Sequence, residues 1–183
     1  MRFPARRPRS GTEIFMIDLT ALFDLSYGVY VVASMDGERP TGCIANSSMQ
    51  ITAEPPTLAV SINHDNFTHE CIEKTGKFSL SVMPETTPPL TIGKFGFHCG
   101  RDTNKFDGVD YKLVDGVPVL TQSTSYCTFE VIDKMETKTH TVFLGKLLSA
   151  EKAAGGKPMT YAYYHQVIKG KVPKNAPTYV AEK

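Results

Sequence analysis

The chain has 183 residues, 41% of them hydrophobic and 21% charged, with a formal net charge of +1 at pH 7. That length suits one domain burying roughly 70% of its unfolded surface without staples. The near-neutral balance gives no electrostatic case for nucleic acid or an anionic membrane surface, and no run approaches the ~20 apolar residues of a membrane span. A cytoplasmic protein is expected.

The charge is unevenly placed, with Arg2, Arg6, Arg7 and Arg9 set against Glu13 in residues 1–15. Glu13 and Asp18 interrupt the apolar run that a targeting signal would need. Residues 1–15 therefore read as a disordered extension and 16–183 as a single domain. Ile17 to Leu25 reads as a short helix. Tyr27 to Met35 is a β-branched, aromatic strand that ends at an Asp36-Gly37 hairpin turn. The chain returns through Thr41 to Thr52, and Pro55-Pro56 stops that strand because proline cannot donate to a ladder. Thr57 to Asn63 is a further strand, apolar enough in its first half to be buried on both faces.

After the polar turn at 63–66, Phe67 to Thr75 reads as a helix closed by Gly76. Phe78 to Met83 is a strand, and Pro88 to Phe95 a helix with proline near its start. Residues 96–110 are loop-like, and Tyr111 to Leu120 folds about a second Asp-Gly turn at 115–116. Two long strands, Ser125 to Met135 and Thr139 to Ala150, are expected to pair with each other. A loop through Gly155-Gly156 leads to Met159–Val167, and the Lys/Pro/Asn-rich segment beyond it reads as extended. Many strands, two hairpin turns and few helices predict a mainly β protein, a barrel or sandwich. There is no alternating βα pattern, no G-x-G-x-x-G and no P-loop motif.

Cysteines occur at 43, 71, 99 and 127, in unrelated contexts and without a Cys-x-x-Cys pair. Zinc ribbons, rubredoxin-type iron and thioredoxin chemistry are thus unsupported, the thiols are expected free, and no metal site is legible. The stretch Gly42–Ser48 turns small and polar after a strand, which lets backbone approach a flat ligand and offers Asn and Ser groups to its edge. The turn Ser61-Ile62-Asn63 leads into the helix at Asn66–Thr68, whose free N–H groups suit a phosphate; the alternative is that Asn66 only caps the helix. His140 either shuttles a proton at a cavity or merely ends a strand. Tyr161, Tyr163, Tyr164 and His165 could cover a flat cofactor, pack a dimer seam or fill the core.

Taken together, YGVYVVAS (27–34), GCIANSSMQITAEPPTLAVSIN (42–63), NFTHECI (66–72), GKFSLSVM (76–83), IGKFGFHCGRDTNKF (92–106) and THTVFLGKL (139–147) resemble the flavin reductase-like family of FMN-binding split barrels. The resemblance spans about Leu22 to Glu182. It is closest to flavoredoxins and to the flavin module of high-molecular-weight rubredoxins, where a segment like 158–179 leads into a rubredoxin domain.

The resemblance implies that Ile44, Ala45, Asn46, Ser47 and Ser48 line the isoalloxazine. It implies that Ser61, Ile62, Asn63 and Thr68 hold the ribityl phosphate, and that Phe95, Gly96 and Lys105 border the flavin. His140 falls where many relatives carry Gly-Asp-His, implicated in receiving the nicotinamide nucleotide, but Lys138-Thr139 stands in place of Gly-Asp here. The implied activity is an NAD(P)H:FMN oxidoreductase acting through FMN, as a homodimer, on a small acceptor or on a rubredoxin or other redox partner in trans. The rival is a non-enzymatic FMN electron carrier of flavoredoxin type with no pyridine nucleotide site. A third reading is a split barrel that uses its cavity for another ligand.

Overall fold

A computed structural model describes residues 17–179; the extension expected over 1–15 lies outside them. After a 3-10 turn at Leu19–Asp24, the chain forms β1 (Tyr30–Asp36), β2 (Arg39–Ala45), β3 (Ser48–Ala53), β4 (Pro56–Asn63), α1 (Phe67–Thr75), β5 (Lys77–Val82), α2 (Pro89–Phe97), β6 (Tyr111–Val114), β7 (Val117–Leu120), β8 (Ser125–Glu136), β9 (His140–Lys152) and α3 (Tyr161–Gln166). The protein is mainly β, and every strand pair is antiparallel.

Seven strands form one sheet in the order β2-β1-β5-β8-β9-β4-β3, with β6-β7 as a separate hairpin. β2 and β3 are thus opposite edges of the sheet, yet only Asn46 and Ser47 separate them in the chain. Laid flat, seven strands at about 4.8 Å spacing would hold those edges roughly 29 Å apart. A two-residue link reaches no more than about 11 Å from Ala45 to Ser48. The sheet must therefore roll until its edges meet. The result is a barrel split at Asn46–Ser47.

This corrects the expectation of one strand over Thr41–Thr52. Its first half pairs with β1 and its second with β4, so the small polar residues mark a crossing of the seam. β4 also differs from expectation. Val60 and Ile62 are buried, with Leu58 packed against the same core, while Ala59 and Ser61 on the other face are only half-buried, so one face fills the barrel and the other is partly open. Pro56 opens β4, a first-residue position where its missing N–H costs the ladder nothing.

Strand β1 is buried on both faces because each faces a different core. Val29, Val31 and Ala33 pack outward with Ile92, Phe95, Phe106, Met159 and Tyr164. Val32 points into the barrel with Cys43, Ala45, Val60, Ile62, Phe78, Phe129 and Phe143. Inside the barrel Phe78 and Phe129 stack with centroids 4.9 Å apart. Gly145 makes room for them, since a Cβ there would sit 2.8 Å from both Phe129 Cβ and Phe78 Cζ.

Local signals set the element ends. Gly76 closes α1 in the left-handed conformation (φ 65°), donating its N–H to Ile72 O at 2.9 Å. Asp115 and Gly116, at φ 51° and 83°, make the tight β6–β7 turn. α2 runs two residues past its predicted end. Residues beyond α3 are not extended, because Ala176 N–H donates to Pro173 O and Tyr179 N–H to Ala176 O, both at 3.0 Å, folding the segment into consecutive turns. No helix among the described residues is long and apolar enough to cross a membrane.

Candidate functional site

Beside Cys43 of β2, the N-terminus of α1, the C-terminal end of α2, the loop through Gly100 and Lys105, and residues 173–175 surround a cavity of about 370 Å³. Its wall includes Cys43, Asn66, Thr68, Phe95, Gly96 and Lys105. The protein thus gathers Thr68, Phe95, Gly96 and Lys105, which come from three separate stretches of the sequence, around one void.

Lys105 is 5% exposed. Its Nζ donates to Gly42 O at 2.9 Å and Phe95 O at 3.1 Å, which uses two of three N–H donors. Burial pushes its pKa down, partly offset by the Cys43 and Cys99 thiols. A buried cation held by neutral carbonyls carries a desolvation penalty of several kcal/mol that an anion would offset. Burial likewise pushes the Cys43 thiol up, against Lys105 and a hydrogen bond with Thr68.

α1 opens into the same cavity without a side-chain cap. Asn66 stands at its N-cap position, but its side chain makes no cap hydrogen bond. Its Oδ1 instead accepts from Asn175 Nδ2 at 3.0 Å. His69 N–H donates to Asn66 O at 2.8 Å, and the Phe67 and Thr68 amides before it keep their donors and the helix's partial positive charge for a ligand.

The other resemblance-implied residues sit along the seam. Ser47 is tied to β4, with Ser61 N–H donating to Ser47 O at 3.0 Å and Ser47 Oγ donating to Ser61 O at 3.0 Å. Ser48 opens β3 opposite Val60. Ala45 and Ile62 turn their side chains into the barrel core, so only their backbone is available to a ligand. Asn63 Oδ1 accepts the Asp65 N–H at 2.9 Å. Ile44 is half-buried against the outer core beside Gly96. Asn46 is 3% exposed, with Nδ2 donating to Thr178 Oγ1 at 2.9 Å and Oδ1 buried without a partner.

His140 begins β9 opposite Asn63. Thr139 Oγ1 lies 2.9 Å from its Nδ1. Nε2 is buried without a well-formed hydrogen bond. Burial lowers the pKa of His140, the Asn175 backbone partly restores it, and His64 lowers it further. Burial thus favours the neutral ring. Among the described residues, no group of three or more His, Cys, Asp or Glu side chains could hold a metal ion.

A flavin bearing a phosphate fits these groups. The buried cation with a spare donor, the uncapped helix start and the unpaired Asn46 Oδ1 are the complement of a phosphate and a heterocycle edge. Sequence reasoning missed Asn66 as anything beyond a cap, and missed Pro173, Asn175 and Thr178 altogether. Their contacts bridge 109 and 132 residues of chain, so no local pattern could announce them.

The model of the flavin reductase-like domain family matches residues 22–170. The chain belongs to the flavin reductase-like family. It is 44% identical over 165 residues to a high-molecular-weight rubredoxin of Moorella thermoacetica, covering 89% of this chain and 72% of that one. It is 38% identical over 169 residues to a ferric-chelate reductase (NAD(P)H) of Archaeoglobus fulgidus, covering 91% of this chain and all of the relative. The NADH:FAD oxidoreductase of Streptomyces globisporus has the same fold, with a TM-score of 0.70 at 25% identity over 78% of this chain and 85% of that one. Membership in this family carries flavin-dependent oxidoreduction.

Proposed function

We propose that this flavin reductase-like oxidoreductase holds FMN in the cavity between α1 and Lys105, receives electrons from NAD(P)H, and passes them to a rubredoxin-like protein or a small acceptor. Bound FMN supplies two-electron acceptance from a reduced nicotinamide and one- or two-electron delivery onward. The observation that carries the reading is Lys105, a buried ammonium with no carboxylate among its hydrogen-bond partners, set on the same cavity as an uncapped helix start.

Thr68, the first amides of α1 and Lys105 hold the phosphate. The backbone from Ile44 to Ser48, with Asn46, meets the heterocycle edge, where donors count most if negative charge gathers there. His140, whose neutral form burial favours, stands opposite Asn63 on β9 as the residue nearest in role to a nicotinamide contact. The apolar side chains that β3, β8 and β9 leave exposed, among them Met49, Ile51, Ile132, Met135 and Leu148, support a homodimer.

The test is spectral. Purified protein reconstituted with FMN should show bound-flavin absorption, and mixing with NADH or NADPH should bleach it within the turnover time. Bleaching by neither donor, with reduction by a reduced rubredoxin intact, would leave the electron-carrier reading, which the Lys138-Thr139 sequence before His140 favours. Protein that neither colours nor quenches FMN fluorescence would overturn both.

A further inference from the structure

Residues 171–179 lie beyond the stretch that the family model matches, which ends at 170, yet they do not trail away from the molecule. Pro173, Lys174 and Asn175 form one wall of the cavity. Pro173 packs over Gly96, where an added Cβ would lie 3.4 Å from Pro173 Cγ. Two side-chain anchors hold the segment down. Asn175 Nδ2 donates to Asn66 Oδ1, and Thr178 Oγ1 meets both Asn46 Nδ2 at 2.9 Å and Tyr161 OH at 2.7 Å.

The position of the first anchor decides what it can do. Asn66 is the residue immediately before α1, so the Asn66–Asn175 bond bridges the cavity rim at the end where the helix amides open. A phosphate monoester ends there. A dinucleotide continues past its first phosphate and would have to leave through the bridge.

We propose that Pro173–Thr178 is a specificity-determining strap that closes the phosphate end of the flavin cavity and selects the mononucleotide over the dinucleotide. Resting on the flavin reading above, it assigns to Asn175 and Thr178 a positioning role: they set the strap, and the strap sets which flavin fits. Asn66 serves the strap with its side chain while leaving the helix amides to the ligand. The exposed Lys174 adds a cation to the lining of the same cavity, which also includes Asp65.

Dissociation constants for FMN, FAD and riboflavin, from quenching of flavin fluorescence, test this on the full chain and on an Asn175→Ala/Thr178→Val variant. The unaltered protein should prefer FMN to FAD by about tenfold or more, the worth of the two anchoring hydrogen bonds. The variant should narrow that preference to within about threefold, chiefly by tighter FAD binding. Equal affinity for FMN and FAD in the unaltered protein, or an unchanged preference in the variant, overturns the strap while leaving the flavin reading intact. Failure of every flavin to bind the unaltered protein overturns the flavin reading itself. Hydrogen exchange provides a check that needs no variant: FMN should slow exchange at both the α1 start and residues 173–179. Slowing at α1 alone refutes the strap.

Discussion

Replacing Lys105 by methionine separates its two roles. Methionine keeps much of the apolar stem and removes the ammonium, together with the bonds to Gly42 O and Phe95 O. Hydrogen bonds to a charged group contribute about 1.5–3 kcal/mol each, whereas an unpaired buried ion costs several kcal/mol. The two nearly offset, so the stability of the ligand-free protein should change by less than about 2 kcal/mol in urea unfolding. Binding has no such offset. Loss of one charge-assisted contact to a phosphate is worth about 1.5–3 kcal/mol, or roughly 10- to 150-fold in the FMN dissociation constant. Riboflavin, which lacks the phosphate, should weaken by no more than about threefold in the same fluorescence titration. An equal loss for FMN and riboflavin, or none for either, would refute the assignment of Lys105 to the phosphate.

Gly145→Ala places a methyl 2.8 Å from the stacked Phe78 and Phe129 and should destabilise the protein by about 1–3 kcal/mol through overpacking; an unchanged urea midpoint would show that the barrel interior is looser than described. Burial lowers the pKa of both His69 and His140. In that case the unfolded chain binds more protons as pH falls from 6.5 through the folded values, so stability is lost in that window and retained above it. His140→Gln should flatten part of this acid-side slope in urea midpoints measured between pH 7.5 and 5, and an unaltered slope would argue against a buried, neutral ring.

Much of the fold was legible because its signals are local. The helix bounds Phe67–Thr75 follow from a polar turn before and a glycine after, and β8 and β9 from two long runs around a short polar link. The split of Thr41–Thr52 was not legible. Both halves have strand character, and only the pairing of one with β1 and the other with β4 shows that they lie on opposite edges. Thr68 could be read from the helix start that it belongs to, but Phe95, Gly96 and Lys105 entered by family resemblance, since no pattern within residues 68–105 tells which side chains converge. The side-chain anchors beyond α3 left no trace at all, because an asparagine and a threonine in a Pro-rich stretch look the same whether they bind water or Asn66 and Asn46.

The two-residue junction between β2 and β3 has a mechanical consequence. Whatever ligand grips Asn46 and Ser47 grips the clasp of the rolled sheet, and so adds to the few hydrogen bonds that Ser47 makes to Ser61 and Asn46 to Thr178. Occupancy should therefore register far from the ligand, as slower opening of the barrel as a whole. In the flavin placement proposed above, the heterocycle edge and the structural closure of the sheet meet at one place.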